Sequence, residues 1–277
     1  MKTNVLNQGD VGTGKTRSLI TLLPTYIDET GRECEGAGIE PFLISMEAGS
    51  EATLGRNLCG APNEHRHVIH HAHIPATNIP FETTASYISL ANSLPLKTLL
   101  ETTDPNRRQY RQAIELCNTT ADFVCDHCGE SFGSVRAWTD ERAIAIDSLT
   151  GLTYAFRQNV NGGKPSYTLP EIGVIMGLIE AFLDNFWSAT RCSAILNAHI
   201  EREQDPLTGM SKITVSTIGQ KLAPRLVKKP DEVITSIYND GAYYWSTAPA
   251  SNEIMKRRRL PLSDRIPADY RQIFQPR

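Results

Sequence analysis

The sequence contains no run of 18 apolar residues, and its first ten residues, MKTNVLNQGD, lack the apolar core of a signal peptide. We therefore predict no membrane span and a cytoplasmic location. The chain also has little net charge, since 28 lysines and arginines stand against 31 acidic residues and leave −3. If the protein contacts nucleic acid, the contact must come from a local basic stretch.

Cysteine is scarce, with six residues in 277, and in a cytosolic chain these are thiols or metal ligands rather than disulfides. Cys125 and Cys128 form a C-x-x-C pair, which is half of a zinc site, and Cys117 is a third candidate ligand. Zinc requires four ligands. The histidines between His65 and His73 could supply another only if the fold brings them close; otherwise they form the surface of a strand.

Apolar runs alternate with amphipathic segments along the chain. Residues 4–7, 41–46, 143–146 and 192–198 are typical of buried strands, and segments such as 15–26 and 169–187 are predicted helices. This alternation predicts an α/β fold, with a mostly parallel sheet covered by helices on both faces. Asn239-Asp240-Gly241 predicts an antiparallel hairpin near the C-terminus. We expect one domain, 1–277, with 118–139 as an inserted segment that contains cysteines.

One motif points directly to chemistry. The pattern G-x-x-x-x-G-K-[ST] is complete between Gly9 and Thr16, after a predicted strand and before a predicted helix. Its glycines let backbone N–H groups surround phosphate oxygens, Lys15 reaches the outer phosphates, and the Thr16 hydroxyl binds Mg²⁺. The predicted ATP-binding residues are Gly9, Asp10, Val11, Gly12, Thr13, Gly14, Lys15, Thr16 and Arg17.

Three further candidates follow buried strands, where ligands of open α/β sheets bind. Asp147 ends the run AIAI and is predicted to hold Mg²⁺ with Thr16, although an Asp there could also cap a helix. Glu47 follows PFLISM and is the candidate general base, with Glu51 as the alternative. His199 is either a sensor of the γ-phosphate or a buried structural histidine.

The order of these motifs resembles the ATPase core of RecA-like proteins: the phosphate loop, then strands ending in Glu47, Asp147-Ser148 and Asn197-Ala198-His199. The sensor in RecA is usually Gln, so His199 departs from that pattern. More narrowly, the chain resembles compact phage-encoded ATPases of the single-strand annealing type, the ATPase branch of the Sak proteins. That resemblance uses Gly219-Gln220-Lys221-Leu222, Asp231-Glu232-Val233 and the basic, proline-containing stretch 256–267.

The resemblance implies a RecA-like three-layer fold, hydrolysis of ATP to ADP and phosphate, a homo-oligomer, and single-stranded DNA as ligand in the host cytoplasm. DNA would contact the loops 157–168 and 201–217, through Arg157, Lys164, Arg202 and Lys212. Lys256 or Arg258 would act in trans on a neighbouring ATP site, unless this basic run is only a solvated surface. A single-strand-binding or annealing protein is an expected partner. The alternatives are a small ring-forming, helicase-like motor and an ATP-sensing regulatory module.

Overall fold

A computed structural model describes residues 2–61, 66–75, 111–162, 167–204, 211–219, 221–249 and 255–275, with four isolated positions between 85 and 93. Eleven strands are named among these residues. They are β1 (Asn4–Gly9), β2 (Thr25–Ile27), β3 (Glu33–Glu35), β4 (Glu40–Ser45), β5 (His70–His73), β6 (Arg142–Asp147), β7 (Ser193–Gln204), β8 (Ser211–Val215), β9 (Glu232–Asn239), β10 (Ala242–Ser246) and β11 (Ile266–Pro267).

Seven α-helices are named among the described residues. They are α1 (Lys15–Ser18), α2 (Ser50–Leu54), α3 (Gln112–Ala121), α4 (Leu149–Asn161), α5 (Leu169–Asp184), α6 (Ala223–Leu226) and α7 (Arg271–Phe274). The longest helix, α5, begins with a capping box between Thr168 and Glu171 and with Pro170 in its first turn.

The main sheet has the strand order β11-β10-β9-β1-β7-β6-β4-β5, with β8 paired to β7 alone. From β9 to β5 every pairing along this path is parallel, whereas β10 and β11 are antiparallel. The predicted α/β class, the mostly parallel sheet and the C-terminal hairpin are confirmed. The hairpin turns at Asp240, which has φ 51°, and Gly241, which has φ 77°.

Side chains alternate across this sheet and form two separate cores. One core contains Leu6, Phe42, Ile44, Ile144, Ile146, Ala194 and Leu196, which pack against Leu152 of α4 and Ile175, Ile179 and Leu183 of α5. The other contains Val5, Leu43, Ala143, Ala145, Ile195 and Ile234, which pack against Leu19, Leu22, Leu54 and Ile273. Both faces of the sheet are therefore covered, as the continuous apolar strands predict.

Three local predictions were wrong. The helix predicted for 15–26 ends at Ser18, continues as a 3₁₀ turn to Leu22, and gives way to β2, because Pro24 cannot extend a helix. The predicted loop 157–168 is helical up to Asn161, so Arg157 lies inside α4. The predicted loop 201–217 is mostly the β7–β8 ribbon, in which Glu201 pairs with Thr214. Glu201 and Arg202 are exposed in this ribbon, and polar residues of this kind had suggested a loop.

Part of the segment 118–139 packs onto the strand β4. The ring of Phe42 lies 5.1 Å from that of Phe123, 4.9 Å from Phe132 and 4.2 Å from Trp138, measured between centroids. Phe123 and Trp138 are buried in the same core as the sheet. This segment contributes to the core of the domain at its β5 edge.

The π-helical turn Asn185–Ala189 continues α5. Among the described residues, this combined helix, Leu169–Ala189, is long and apolar enough to pass a length and composition test for a membrane span, with a mean hydropathy of 1.3. Its residues Ile175, Ile179 and Leu183 are fully buried in the first core. The opposite side of this helix leaves Leu169, Val174 and Leu178 exposed.

Candidate functional site

The register of the parallel strands brings the predicted site residues to one edge of the sheet. Gly9 at the end of β1 pairs with His199 of β7. Asp147 at the end of β6 pairs with Asn197 of β7 on one side and with Ser45 of β4 on the other. Because Glu47 follows β4 by two residues, it lies at this same carboxyl edge.

The loop between β1 and α1 has the backbone that the glycine pattern predicts. Gly12 and Gly14 have φ of 78° and 88°, in the left-handed region. A Cβ at Gly14 would also lie 2.4 Å from the Tyr243 ring. Glycine at position 14 is therefore required both by the backbone conformation and by the aromatic wall that β10 places beside the loop.

Lys15 points back across this loop. Its side chain is buried, and Nζ donates to the carbonyl oxygens of Gly9 at 2.9 Å and Asp10 at 2.7 Å. Burial lowers the pKa of the ammonium group, while the nearby carboxylates of Asp147 and Glu47 oppose that shift. A buried cation enclosed by a glycine-rich turn fits an anionic phosphate group.

Thr16 and Asp147 form a pair of oxygen ligands next to Lys15. The Thr16 hydroxyl donates to Asp147 Oδ2 at 2.5 Å, and the Ser50 hydroxyl lies 3.5 Å from the same oxygen. Burial raises the pKa of the Asp147 carboxyl, because its charge has lost water. A carboxylate and two hydroxyls that converge in this way suit a hard cation such as Mg²⁺. The sequence analysis missed Ser50, although a hydroxyl at a helix start after β4 was a usable signal.

Glu47 is held by two side chains on either side of it. Ser148 Oγ donates to Glu47 Oε1, and His199 Nε2 lies 3.1 Å from Glu47 Oε2. The hydrogen bond from His199 keeps the pKa of Glu47 below its ordinary value. Nδ1 of the same histidine is 3.5 Å from Lys15 Nζ, so His199 connects the candidate base to the phosphate loop. Ser148 also caps α4, which is the role that had been the alternative for Asp147.

Glu51, the alternative base, faces away from this cluster. Its carboxylate lies 3.6 Å from both His71 and His127, and its side chain is 59% exposed against 34% for Glu47. Glu47 and Asp147 both line the same cavity of about 530 Å³, together with the loop 11–17, residues 48–50 and His199. The cavity is large enough for a nucleotide.

Two side chains of the cavity wall were not identified from the sequence. Tyr243 closes one side, and the guanidinium of Arg17 lies 5.1 Å from the centre of its ring. Glu29 also lines the cavity and pairs with Arg17 at 2.5 Å. The hairpin turn at 239–241 predicted the strand of Tyr243, but only the pairing of β9 with β1 brings that strand to the loop.

Arg202 does not project freely from a loop. Its guanidinium forms two hydrogen bonds with the Asp10 carboxylate, at 2.9 and 2.7 Å, and lowers the pKa of that acid. The DNA contact predicted for Arg202 must therefore compete with an intramolecular bidentate pair. The pair links the β7–β8 ribbon to the phosphate loop, and Lys212 lies on β8 of this ribbon.

Arg157, another predicted DNA residue, lies near the end of α4. The guanidinium of Arg157 is stacked 5.0 Å from the ring of Tyr154 and 5.6 Å from that of Tyr167. Tyr167 is 40% exposed, so the Arg157–Tyr167 pair presents an aromatic and cationic surface. Lys164 lies outside the described residues.

Lys256 and Arg258 are separated from the phosphate loop of their own chain. Arg258 pairs with Asp231 at 3.2 Å, and the Asp231 N–H donates to the carbonyl of Asn4, the first residue of β1. The loop begins at the other end of this six-residue strand, about 17 Å away at the usual rise. Lys256 Nζ donates to the Lys228 carbonyl at 3.0 Å.

The predicted zinc ligands divide into two places. Cys125 and Cys128 lie with Cys59 and His70, and the four candidate ligand atoms are within 4.8 Å of one another. Cys117 is on α3, where it lines a different cavity beside Thr120 and Phe182. The structure therefore does not place Cys117 with this group, although Cys117 is close to Cys125 in the sequence.

We expect the Glu47–His199 contact to make the free energy of unfolding vary with pH in the acidic range. A carboxyl whose folded pKa lies below its ordinary 4.5 stabilises the fold above the unfolded pKa, and this contribution is lost as pH falls through the folded value. Urea unfolding at several pH values below about 6 should therefore show a weaker pH dependence in Glu47→Gln and His199→Asn than in the unmodified protein. Equal dependence in all three proteins would contradict the contact.

No family model matches the chain, and no curated protein matches it. Among solved structures, a prototypical ATPase from the type III secretion system of pathogenic bacteria is similar, with 11% sequence identity and a TM-score of 0.33. The match covers 84% of this chain and 50% of that one, so the chain spans about half the length of that ATPase. The functional argument therefore rests on the geometry of the site.

Proposed function

We propose that this chain is a magnesium-dependent, RecA-like ATPase that hydrolyses ATP to ADP and phosphate. The observation that carries the proposal is the convergence of Lys15, the Thr16–Asp147 pair and the Glu47–His199 pair in one cavity. A phosphate-binding loop without a placed carboxylate would serve for binding only. Here two carboxylates lie beside the loop in different environments, which is the arrangement that hydrolysis requires.

The roles follow from the surroundings of each group. Lys15 and the loop N–H groups hold the outer phosphates, and Tyr243 and Arg17 bound the cavity on the remaining side. Thr16, Asp147 and Ser50 would hold Mg²⁺, which supplies charge neutralisation to the phosphates when bound. Glu47 accepts a proton from a water molecule whose oxygen bonds to the γ-phosphorus, while the bond from that phosphorus to the β–γ bridging oxygen breaks and ADP leaves.

His199 is suited to report the state of the nucleotide. It contacts Glu47 through Nε2 and lies 3.5 Å from Lys15 through Nδ1. An anion that draws Lys15 Nζ away from the loop carbonyls changes the charge next to this imidazole. β7 continues beyond His199 into the β7–β8 ribbon. The same strand therefore carries the candidate sensor and Arg202, which pairs with Asp10 of the phosphate loop.

This continuity supports a coupling between ATP and single-stranded DNA. We propose that DNA binds along the Arg157–Tyr167 surface and the β7–β8 ribbon, with Lys212 as a phosphate contact and Arg202 as the link to Asp10. The ATPase would then act in DNA recombination or annealing as a homo-oligomer that works with an annealing or single-strand-binding protein. Assembly would place Arg258 or Lys256 of one subunit next to the site of another, since within their own chain these side chains bond to Asp231 and to the Lys228 carbonyl.

Glu47→Gln tests the catalytic assignment. We expect phosphate release to fall by about 10²- to 10⁴-fold, because the general base is lost, while binding of a fluorescent ATP analogue is retained. Glu51→Gln is the matched control, four residues along the chain and outside the cavity, and should keep turnover within about twofold. Loss of turnover in Glu51→Gln with normal turnover in Glu47→Gln would reverse the assignment.

Arg157→Ala tests the DNA surface. Binding of a labelled single strand should weaken as salt rises, and the substitution should reduce the slope of log K against log salt by about 0.7 for one lost phosphate contact. Arg191→Ala, an exposed arginine just before β7 at the opposite edge of the sheet, is the control and should leave the slope unchanged. Affinity that does not change with salt would contradict phosphate binding. ATP turnover that DNA leaves unchanged would favour an ATP-sensing module.

Arg258→Ala tests action between subunits. If this cation stabilises charge at a neighbour's γ-phosphate, turnover per chain should rise with protein concentration in the unmodified protein and fall by on the order of 10³-fold in the variant. Arg257→Ala, the adjacent exposed arginine, is the matched control and should retain turnover. A rate per chain that is independent of dilution, and that Arg258→Ala leaves intact, would exclude action in trans by Arg258.

A further inference from the structure

A cluster of three thiols and one imidazole lies at the β5 edge of the sheet, away from the phosphate loop. Its members are Cys59, His70, Cys125 and Cys128, and their ligand atoms all lie within 4.8 Å of one another. Cys59 and Cys125 are buried, whereas His70 is half-buried and Cys128 exposed. The four residues come from three places in the sequence, so a single local turn does not explain their convergence.

The C-x-x-C pair has the backbone of a metal-binding turn. The Cys125 N–H donates to the carbonyl of Glu130 at 3.0 Å, and the Gly129 N–H donates to the Cys125 carbonyl at 2.9 Å. Gly129 has φ 72°, a conformation that favours glycine directly after the second cysteine. Val124 and Ser131 close the turn with an antiparallel bridge, so both thiols are presented from one tight hairpin.

The other two ligands are fixed by the sheet. His70 begins β5, and its ring is stacked 5.3 Å from Phe42 and lies 4.3 Å from Phe132. In that position His70 Nδ1 is 3.8 Å from Cys128 Sγ. The Cys59 N–H donates to the Ile69 carbonyl at 3.0 Å, which holds this thiol beside the start of β5.

We propose that Cys59, His70, Cys125 and Cys128 form a structural Zn²⁺ site of the Cys₃His type. Tetrahedral zinc has Zn–S distances of about 2.3 Å, which places two thiolate sulfurs about 3.8 Å apart, and it takes its four protein ligands in such a site from Cys and His. The four converging ligand atoms match this coordination number. They leave no coordination position open for a reacting molecule, which is typical of a structural site. A disulfide between Cys125 and Cys128 would leave Cys59 and His70 without a role.

The ion would join three segments. Asp126, between the two cysteines, already holds the hairpin to β5, since its N–H donates to the His71 carbonyl and its carboxylate accepts from the His73 N–H at 2.6 Å. Cys59 follows α2, and the residues at the start of α2 line the nucleotide cavity. The zinc would therefore fasten the inserted segment to β5 and to the segment that borders the candidate active site.

Metal analysis of the purified full chain tests the site, whatever its ATPase activity. We expect about one zinc per chain in the unmodified protein and in Cys117→Ser, which alters a thiol on α3 outside the cluster. His127→Ala should also keep the metal, because His127 Nε2 faces Glu51 at 3.6 Å although the residue lies between the two cysteines. Cys59→Ser and Cys125→Ser should lose most of the zinc.

Substitution by cobalt keeps the test decisive if the cysteine variants fail to fold. Protein produced with Co²⁺ in place of Zn²⁺ should show the intense visible bands of tetrahedral cobalt together with thiolate-to-cobalt charge transfer. A zinc content near zero in the unmodified protein would overturn the proposal. So would an octahedral cobalt spectrum without charge transfer, or loss of zinc in Cys117→Ser equal to that in Cys125→Ser.

Discussion

The parallel register of four neighbouring strands is the constraint on which the candidate site depends. β1, β7, β6 and β4 run in the same direction, and their register brings Gly9, His199, Asp147 and Glu47 together although these residues lie up to 190 positions apart in the sequence. The positions of these residues do not depend on contacts between their side chains. The backbone hydrogen bonds of the sheet and the two apolar cores fix it, and the side chains then complete it.

The two carboxylates at this edge are made different by what surrounds them. Asp147 is buried between Thr16 and the sheet, which raises its pKa, whereas Glu47 is held by His199 and Ser148 and has its pKa lowered. Groups of the same chemical type thus have pKa values shifted in opposite directions, which is why we propose different roles for them. The imidazole that lowers the pKa of Glu47 also lies next to Lys15, so one residue joins the candidate base to the phosphate loop.

A second connection reaches the site from outside the sheet core. The Arg202–Asp10 pair joins the β7–β8 ribbon to the phosphate loop, and α2 joins the same cavity to the cysteine cluster at the β5 edge. Exposed ion pairs contribute little to stability. The main effect of the Arg202–Asp10 pair is therefore to hold the ribbon next to the phosphate loop. The ribbon is therefore joined directly to the loop beside the cavity, and the segment 118–139 is joined to it through α2 and the cysteine cluster.

The sequence by itself determined the fold class, and it named most of the candidate residues that the structure brings together at the cavity. Continuous apolar runs ending in Glu47, Asp147 and His199 specify buried parallel strands whose carboxyl ends meet, and the spacing from Gly9 to Thr16 specifies the anion-binding turn. Only the tertiary structure decided which distant residues complete each site: Ser50 and Tyr243 at the cavity, Asp10 as the partner of Arg202, and Cys59 and His70 in place of Cys117. The reason is that periodicity and motifs encode local conformation, whereas contacts across more than fifty residues depend on strand order and packing, which no local pattern records.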